Sequence, residues 1–137
     1  MGYLLICFML LAQDQAAQPG DLVIIVNPDV SSTVLKNDLK RIYLNRKKRW
    51  NGGKGIVTAT LADGTLHRLF LEKYINKSSA QFNTFWKRVI FTGKGAPPKN
   101  FQTEEELVVF VANTPGAIGY VSRNVPLEGV RVLEFEN

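Results

Sequence analysis

The sequence predicts a single α/β domain in which about four helices flank a small mixed or parallel sheet. Short apolar runs alternate with longer segments whose apolar residues recur at helical spacing. Turn-forming Gly, Pro, Asn and Asp separate these segments. The length of 137 residues and the apolar content of 45% are typical of one globular domain with a real core.

Four apolar runs predict strands. The first is continuous and β-branched, which is typical of a strand buried on both faces. The segment after it contains Asn27-Pro28-Asp29, which ends the strand. The predicted strands cover 22–26, 56–61, 117–121 and 130–135.

Four segments have apolar residues on one face at helical spacing. Ser31, Ser32 or Thr33 could cap the first helix, Ser78 or Ser79 the third, and Thr103 opens a capping box for the fourth. The predicted helices cover roughly 34–44, 65–75, 80–91 and 104–113. Strand, helix, strand, three helices and two strands in this order favour a layered α/β domain.

The first residues predict an export signal. Residues 3–12 are all apolar, too few to span a bilayer, and a stretch of small and polar residues follows them. We therefore predict a signal peptide over 1–17, one mature domain over 18–137, a periplasmic location and no membrane insertion after signal removal. No Lys or Arg precedes the run and no clean Ala-x-Ala site follows it, so the alternative is a buried N-terminal helix or strand. Lipidation of Cys7 is disfavoured because the large Ile6 precedes it.

The residue counts exclude several classes of site. Cys7 is the single cysteine, so no intrachain disulfide and no cysteine-based zinc site can form. His67 is the single histidine and is expected to be a surface or partly packed helical residue. No pattern of nucleophile and base points to a catalytic triad. We therefore predict a protein that is not an enzyme, with no catalytic residues, no metal site and no cofactor.

The segment Asp63-Gly64-Thr65 is the candidate binding site. It lies where a predicted strand meets a helix start, where free backbone N–H groups and the helix dipole favour an anion. Gly64 lets a ligand approach the backbone, Thr65 offers a hydroxyl, and Arg68 could add a charged donor one turn later. The alternative is an ordinary helix cap, and the Asp63 carboxylate would repel an anion unless it turned away.

Two basic loops are candidate docking surfaces. The loop 46–50 reads Arg-Lys-Lys-Arg-Trp, and the loop 93–99 contains Lys94 and Lys99 among glycines and prolines. Cations with Trp50 as a stacking ring would suit nucleic acid. A solvated loop anchored by a packed Trp50 is the alternative, and export disfavours nucleic acid as a partner. We predict no nucleic-acid partner and consider an envelope protein partner.

Several segments together resemble the periplasmic phosphate-binding proteins of ABC transporters, in particular a short, single-lobe branch of phosphate-binding-like proteins. They are 35–45 followed by Trp-Asn-Gly-Gly at 50–53, Phe-Trp at 85–86, and the most specific one, Pro-Gly-Ala-Ile-Gly-Tyr-Val at 115–121. Asp63-Gly64-Thr65 falls where that family has a phosphate-contacting Ser-Gly-Thr turn. The resemblance covers about 22–135 and implies one lobe of a type 2 periplasmic binding fold.

The resemblance implies phosphate or a related oxyanion as the ligand. Only Gly64 and Thr65 carry over directly, because Asp63 replaces the Ser of the family and Leu66 stands where an Arg often follows. Full receptors close two lobes on the ligand, and one lobe here would leave the anion half in water, so we expect weak binding. The alternative is an interaction or sensor-accessory module of the envelope that has lost the ligand.

Overall fold

A central five-stranded mixed sheet organises the protein. The computed structural model describes residues 21–136, so the signal peptide predicted over 1–17 lies outside the described residues. The spatial order of the strands is β4-β3-β5-β1-β6. They are β1 (Leu22–Val26), β3 (Val57–Leu61), β4 (Lys99–Phe101), β5 (Ala117–Ser122) and β6 (Arg131–Val132). β3 is parallel to both of its neighbours, whereas β1 is antiparallel to both β5 and β6. Two further strands, β2 (Val34–Leu35) and β7 (Phe135–Glu136), form a separate parallel pair.

Within residues 21–136, four α-helices pack around this sheet. They are α1 (Lys36–Tyr43), α2 (Thr65–Phe70), α3 (Ser79–Phe91) and α4 (Glu104–Asn113). A π-helical turn, Leu71–Ile75, continues α2 without a break, so the helical segment ends at the residue that the sequence predicts. No helix within residues 21–136 is long and apolar enough to cross a membrane.

The caps of the helices agree with the sequence at two of three positions. The Ser78 hydroxyl accepts the Gln81 N–H at 3.1 Å, and the Thr103 hydroxyl accepts the Glu106 N–H at 3.2 Å. The predicted cap of α1 within 31–33 is wrong. Val34–Leu35 forms a strand instead, and the Asp38 carboxylate accepts the Leu35 N–H at 3.3 Å at the helix start.

The sequence prediction misses two short strands, β2 and β4. The sequence predicts a loop up to Asn100, because glycines and two prolines precede it, whereas the structure has a strand at Lys99–Phe101. It gains strand geometry from its pairing with β3 at the edge of the sheet. Val34–Leu35 pairs with Phe135–Glu136, so the strand predicted over 130–135 divides into β6 and β7.

The core is centred on aromatic rings that join the sheet to α1 and α2. All five residues of β1 are buried, as its continuous apolar run predicts. The Phe70 and Tyr120 rings stack with centroids 3.9 Å apart, and the Tyr43 ring meets Phe70 edge-on at 4.8 Å. These contacts fix the position of α2 against the middle of the sheet.

Two tyrosine hydroxyls complete the pairing between β3 and β5. The backbone register joins Val57 and Thr58 of β3 to the start of β5. Further along, the Tyr43 hydroxyl donates to the Ala59 carbonyl at 2.9 Å, and the Tyr120 hydroxyl accepts the Leu61 N–H at 2.9 Å. These buried backbone groups are thereby satisfied at positions beyond the ladder.

Two glycines allow close packing around β5. Gly116 has φ +78°, and a Cβ there would meet the carbonyl oxygen of Gly55. Its own carbonyl accepts the Trp50 indole N–H at 2.9 Å, and Trp50 is buried, so it is a packed anchor and offers no stacking surface. A Cβ on Gly119 would lie 2.6 Å from the Leu107 side chain of α4. The glycines therefore set how closely the 50–55 loop and α4 approach β5.

We expect Gly116→Ala to lower the free energy of unfolding by at least about 2 kcal/mol, because it combines a left-handed backbone with a clash against backbone. Gly119→Ala should cost about 1–3 kcal/mol, since the Leu107 side chain can shift in part. Urea unfolding followed by circular dichroism measures both. Gly55→Ala is the matched control, because a Cβ there meets nothing within 4 Å. A loss in Gly55→Ala equal to that in Gly116→Ala would contradict the packing argument.

Candidate functional site

The candidate site lies in the turn between the carboxyl end of β3 and the start of α2. Asp63, Gly64 and Thr65 lie together there, at the positions that the sequence predicts. Gly64 is the residue before the helix, in an extended conformation, and no side chain caps this helix start. The starts of α3 and α4 are both capped by hydroxyls. The first turn of α2 therefore keeps backbone N–H groups that no side-chain cap satisfies.

A groove of about 460 Å³ opens beside this turn. One wall is formed by residues 61–67 and the other by residues 102–105 at the start of α4. The second wall carries Glu104 and Glu105. The Glu104 carboxylate accepts the Ser122 N–H and is thus held at the end of β5. Three carboxylates, including that of Asp63, line the groove, so a bound anion must be held by backbone N–H groups against local repulsion.

Asp63 is paired with Arg68 and turned toward α3. Both guanidinium contacts to the carboxylate are 3.3 Å, and the Ser79 hydroxyl donates to it at 3.0 Å. The Arg68 guanidinium and the Ser79 hydroxyl together hold the pKa of the Asp63 carboxyl below its usual range. The side chains of Arg68 and Asp63 are 65% and 57% exposed, so the pair adds little stability.

Arg68 lines a different depression from Gly64 and Thr65. That depression, about 580 Å³ in volume, lies between α2 and the start of α3. The structure thus brings Asp63, Gly64 and Thr65 to the groove, whereas Arg68 neutralises Asp63 from its other side. A direct contact from Arg68 to a ligand at Gly64 stays a prediction.

His67 lies inside the core, where the sequence predicts a surface or partly packed residue. Its exposure is 6%, and its Nδ1 is within hydrogen-bond distance of the Tyr120 hydroxyl. That hydroxyl already accepts the Leu61 N–H, so its proton is free to be donated to Nδ1. Burial lowers the pKa of His67, with the charge of Arg68 adding to this effect and that of Asp63 opposing it. His67 is therefore a neutral structural link behind the groove.

The link between His67 and Tyr120 could not be found from sequence. The two residues are 53 positions apart, and an isolated histidine on a helix gives no sign of its partner. Tyr120 lies within the 115–121 segment that carries the resemblance, but nothing in that segment indicates a contact with α2. Within residues 21–136, no group of three His, Cys, Asp or Glu side chains is placed to hold a metal ion.

The fold is similar to that of solved phosphate-binding proteins. An ABC-type phosphate transport receptor from Vibrio cholerae aligns with a TM-score of 0.63 and 15% identity, over 84% of this chain and 46% of the receptor. PstS from Borrelia burgdorferi aligns with a TM-score of 0.64 and 16% identity, over 84% of this chain and 47% of PstS. A phosphate ABC transporter substrate-binding protein from Clostridium perfringens, solved with bound phosphate, aligns with a TM-score of 0.63 and 17% identity. The alignment covers 84% of this chain and 44% of that protein.

These likenesses show the fold. The mixed sheet with four helices matches a single lobe of a periplasmic binding protein, which confirms the predicted fold class. The chain spans less than half the length of each of these proteins. No family model matches the sequence, and no curated protein matches it.

We expect the pKa of His67 in the folded protein to be below its ordinary value of about 6.5. The folded state then binds fewer protons than the unfolded state, so the free energy of unfolding should fall as the pH is lowered through 6.5. Because the chain has one histidine, NMR can follow its ring signals alone during a pH titration. Tyr120→Phe keeps the ring but removes the hydroxyl, and is the matched variant. A His67 pKa at or above 6.5 would contradict the buried neutral state.

Proposed function

We propose that this chain is an exported, non-enzymatic solute-binding module of the periplasm that holds phosphate or a related oxyanion weakly. Removal of residues 1–17 as a signal peptide is part of this proposal. The observation that carries the proposal is the start of α2 at Gly64 and Thr65, which has no side-chain cap and faces a groove. The fold that presents it is similar to that of a phosphate transport receptor, of PstS and of a phosphate ABC transporter substrate-binding protein, and this similarity supports a binding role.

The chemistry of the groove supports an oxyanion held mainly by backbone. The N–H groups of the first turn and the Thr65 hydroxyl are donors, and oxyanions accept such hydrogen bonds. The Asp63 carboxylate is paired with Arg68 and Ser79, which reduces its repulsion of an anion at Gly64. Contacts that stay open to water contribute little each, so we expect an affinity in the millimolar range.

A second function is favoured by the charge of the groove. Asp63 stands where a neutral serine would serve an anion, and Glu104 and Glu105 line the opposite wall. An envelope interaction or sensor-accessory module that kept the fold and lost the ligand would show these features. The two functions predict opposite results when an oxyanion is added.

The test is an NMR titration of the amide signals with phosphate and then sulfate at constant ionic strength. A retained site gives saturable shifts confined to residues 63–68, and the ratio of the two affinities gives its selectivity. Constant ionic strength separates binding from general screening. The absence of shifts at millimolar phosphate would exclude the oxyanion role and favour the interaction module.

Three variants locate the site. Thr65→Val removes a donor at the helix start and should weaken binding a few-fold, since a net hydrogen bond contributes about 1 kcal/mol. Arg68→Ala should also weaken it, because the charge of Asp63 is then no longer neutralised. Asp63→Ser should strengthen it by up to about fivefold, as expected for one exposed charge. Thr84→Val is the matched control on the exposed face of α3. If all three variants bind the oxyanion with the same affinity as the unmodified protein, the ligand does not bind at Gly64 and Thr65.

A further inference from the structure

The two basic loops meet in space and form one surface. The Asn45 side-chain amide and the Lys48 ammonium group both donate to the Lys94 carbonyl at 3.2 Å. The loops pack so closely that a Cβ on Gly95 would lie 2.9 Å from the Asn45 amide. Residues that the sequence separates by more than forty positions therefore share one face at the amino end of β3.

Positive charge on this face is balanced by few nearby acids in sequence, and one of them is Asp38, which lies 3.8 Å from Lys47 of the 46–50 loop. No Asp or Glu occurs between Asp38 and Asp63, and none between Glu72 and Glu104. These two stretches supply both basic loops and the whole of α3. Lys48 and Lys94 are exposed, as are Lys87 and Arg88 on the last turns of α3.

The same face presents apolar side chains to solvent. The inner face of α3 buries Phe82, Trp86 and Val89. Its outer face exposes Phe91, of which 92% is accessible, and Ile90, of which 51% is accessible. Lys87 lies one helical turn before Phe91, so cation and ring are neighbours on the outer face. We call Lys48, Lys87, Arg88, Ile90, Phe91 and Lys94 the basic-apolar surface.

We propose that the basic-apolar surface docks the protein on membranes that contain anionic phospholipid. A lipid headgroup layer offers negative charge to the lysines and an apolar layer beneath it to the two protruding side chains. Phe91 projects with almost no contact of its own, so a soft surface can receive it without a preformed pocket. Ile90 favours hydrocarbon over nucleic-acid bases, because an aliphatic side chain does not stack.

The basic-apolar surface is separate from the candidate site at Gly64 and Thr65. The surface lies at the amino end of β3, beside the 46–50 loop, whereas Gly64 and Thr65 follow its carboxyl end. A protein docked through Phe91 would therefore leave the groove open. A variant that loses membrane binding is therefore not required to lose oxyanion binding, and the reverse also holds.

The experiment is co-sedimentation of the full chain with vesicles of phosphatidylcholine alone and of phosphatidylcholine mixed with phosphatidylglycerol. The apolar run at 3–12 has no charged side chain, so its hydrophobic partitioning is common to both vesicle types, and the difference between them reports on the cations of the whole chain. We expect preferential binding to the anionic vesicles that falls as salt is raised. Equal binding to both vesicle types would overturn the proposal.

Matched variants assign the binding to this surface. Lys87→Gln with Lys94→Gln should weaken anionic binding about fivefold for each cation removed. Lys36→Gln with Arg123→Gln removes the same charge elsewhere and should change it much less. Phe91→Ser should weaken it severalfold, whereas Val109→Ser, at another exposed apolar position, should not. Because all these side chains are exposed, thermal unfolding should confirm that each variant is folded.

Other partners give different results. Binding to duplex DNA that the double Lys variant weakens and Phe91→Ser leaves unchanged, without preference for anionic vesicles, would overturn the proposal in favour of nucleic acid. Equal losses in the Lys36/Arg123 and Lys87/Lys94 variants would also overturn it, since binding would then follow net charge alone.

Discussion

The Tyr120 hydroxyl is the constraint on which the candidate site depends. It accepts the N–H of Leu61, the last residue of β3, and contacts His67 in α2, while its ring stacks on Phe70. One side chain of β5 therefore fixes both ends of the turn that carries Gly64. Because the parallel ladder between β3 and β5 is joined only at Val57 and Thr58, this hydroxyl and that of Tyr43 provide the buried hydrogen bonds beyond it. The groove is thus positioned from behind by a neutral, buried network whose members are all satisfied.

The fold separates two surfaces along the strand direction. Trp50 and Gly116 join the loop 50–55 to the start of β5, so the basic loops lie at the amino ends of β3 and β5. The start of α4 and the turn after β3 lie at the carboxyl ends, where the acidic residues line the groove. α3 connects the two ends, because it begins next to Asp63 and finishes at Phe91. Docking at one end and ligand access at the other are therefore compatible in a single molecule.

The sequence predicted those parts of the fold that depend on local pattern. The apolar run of β1, the helical spacing in α2 to α4 and the hydroxyl caps of α3 and α4 are each encoded within a few residues. The strands β2 and β4, and the division of the predicted strand 130–135 into β6 and β7, were missed because two or three residues gain strand geometry only from a partner distant in sequence. The position of Gly64 and Thr65 at a helix start could also be predicted from the neighbouring residues. The pairing of Asp63 with Ser79 and the burial of His67 against Tyr120 depend on tertiary packing, which no spacing reveals.

The charge distribution decides how an oxyanion could be held here. The chain has a net charge of +5, but its acid-free stretches place the cations of the basic-apolar surface away from the groove. A five-residue strand spans about 17 Å, which is about two Debye lengths at physiological salt. The field of the basic-apolar surface is therefore largely screened at Gly64, where three carboxylates are nearer. In the proposed oxyanion role, the backbone N–H groups and Thr65 are the donors at Gly64, and Arg68 neutralises Asp63, while a direct contact from Arg68 stays a prediction. Affinity should then depend on the charge at position 63 and hardly on the cations of α3, which makes the proposed ligand role and the proposed membrane role separable by mutation.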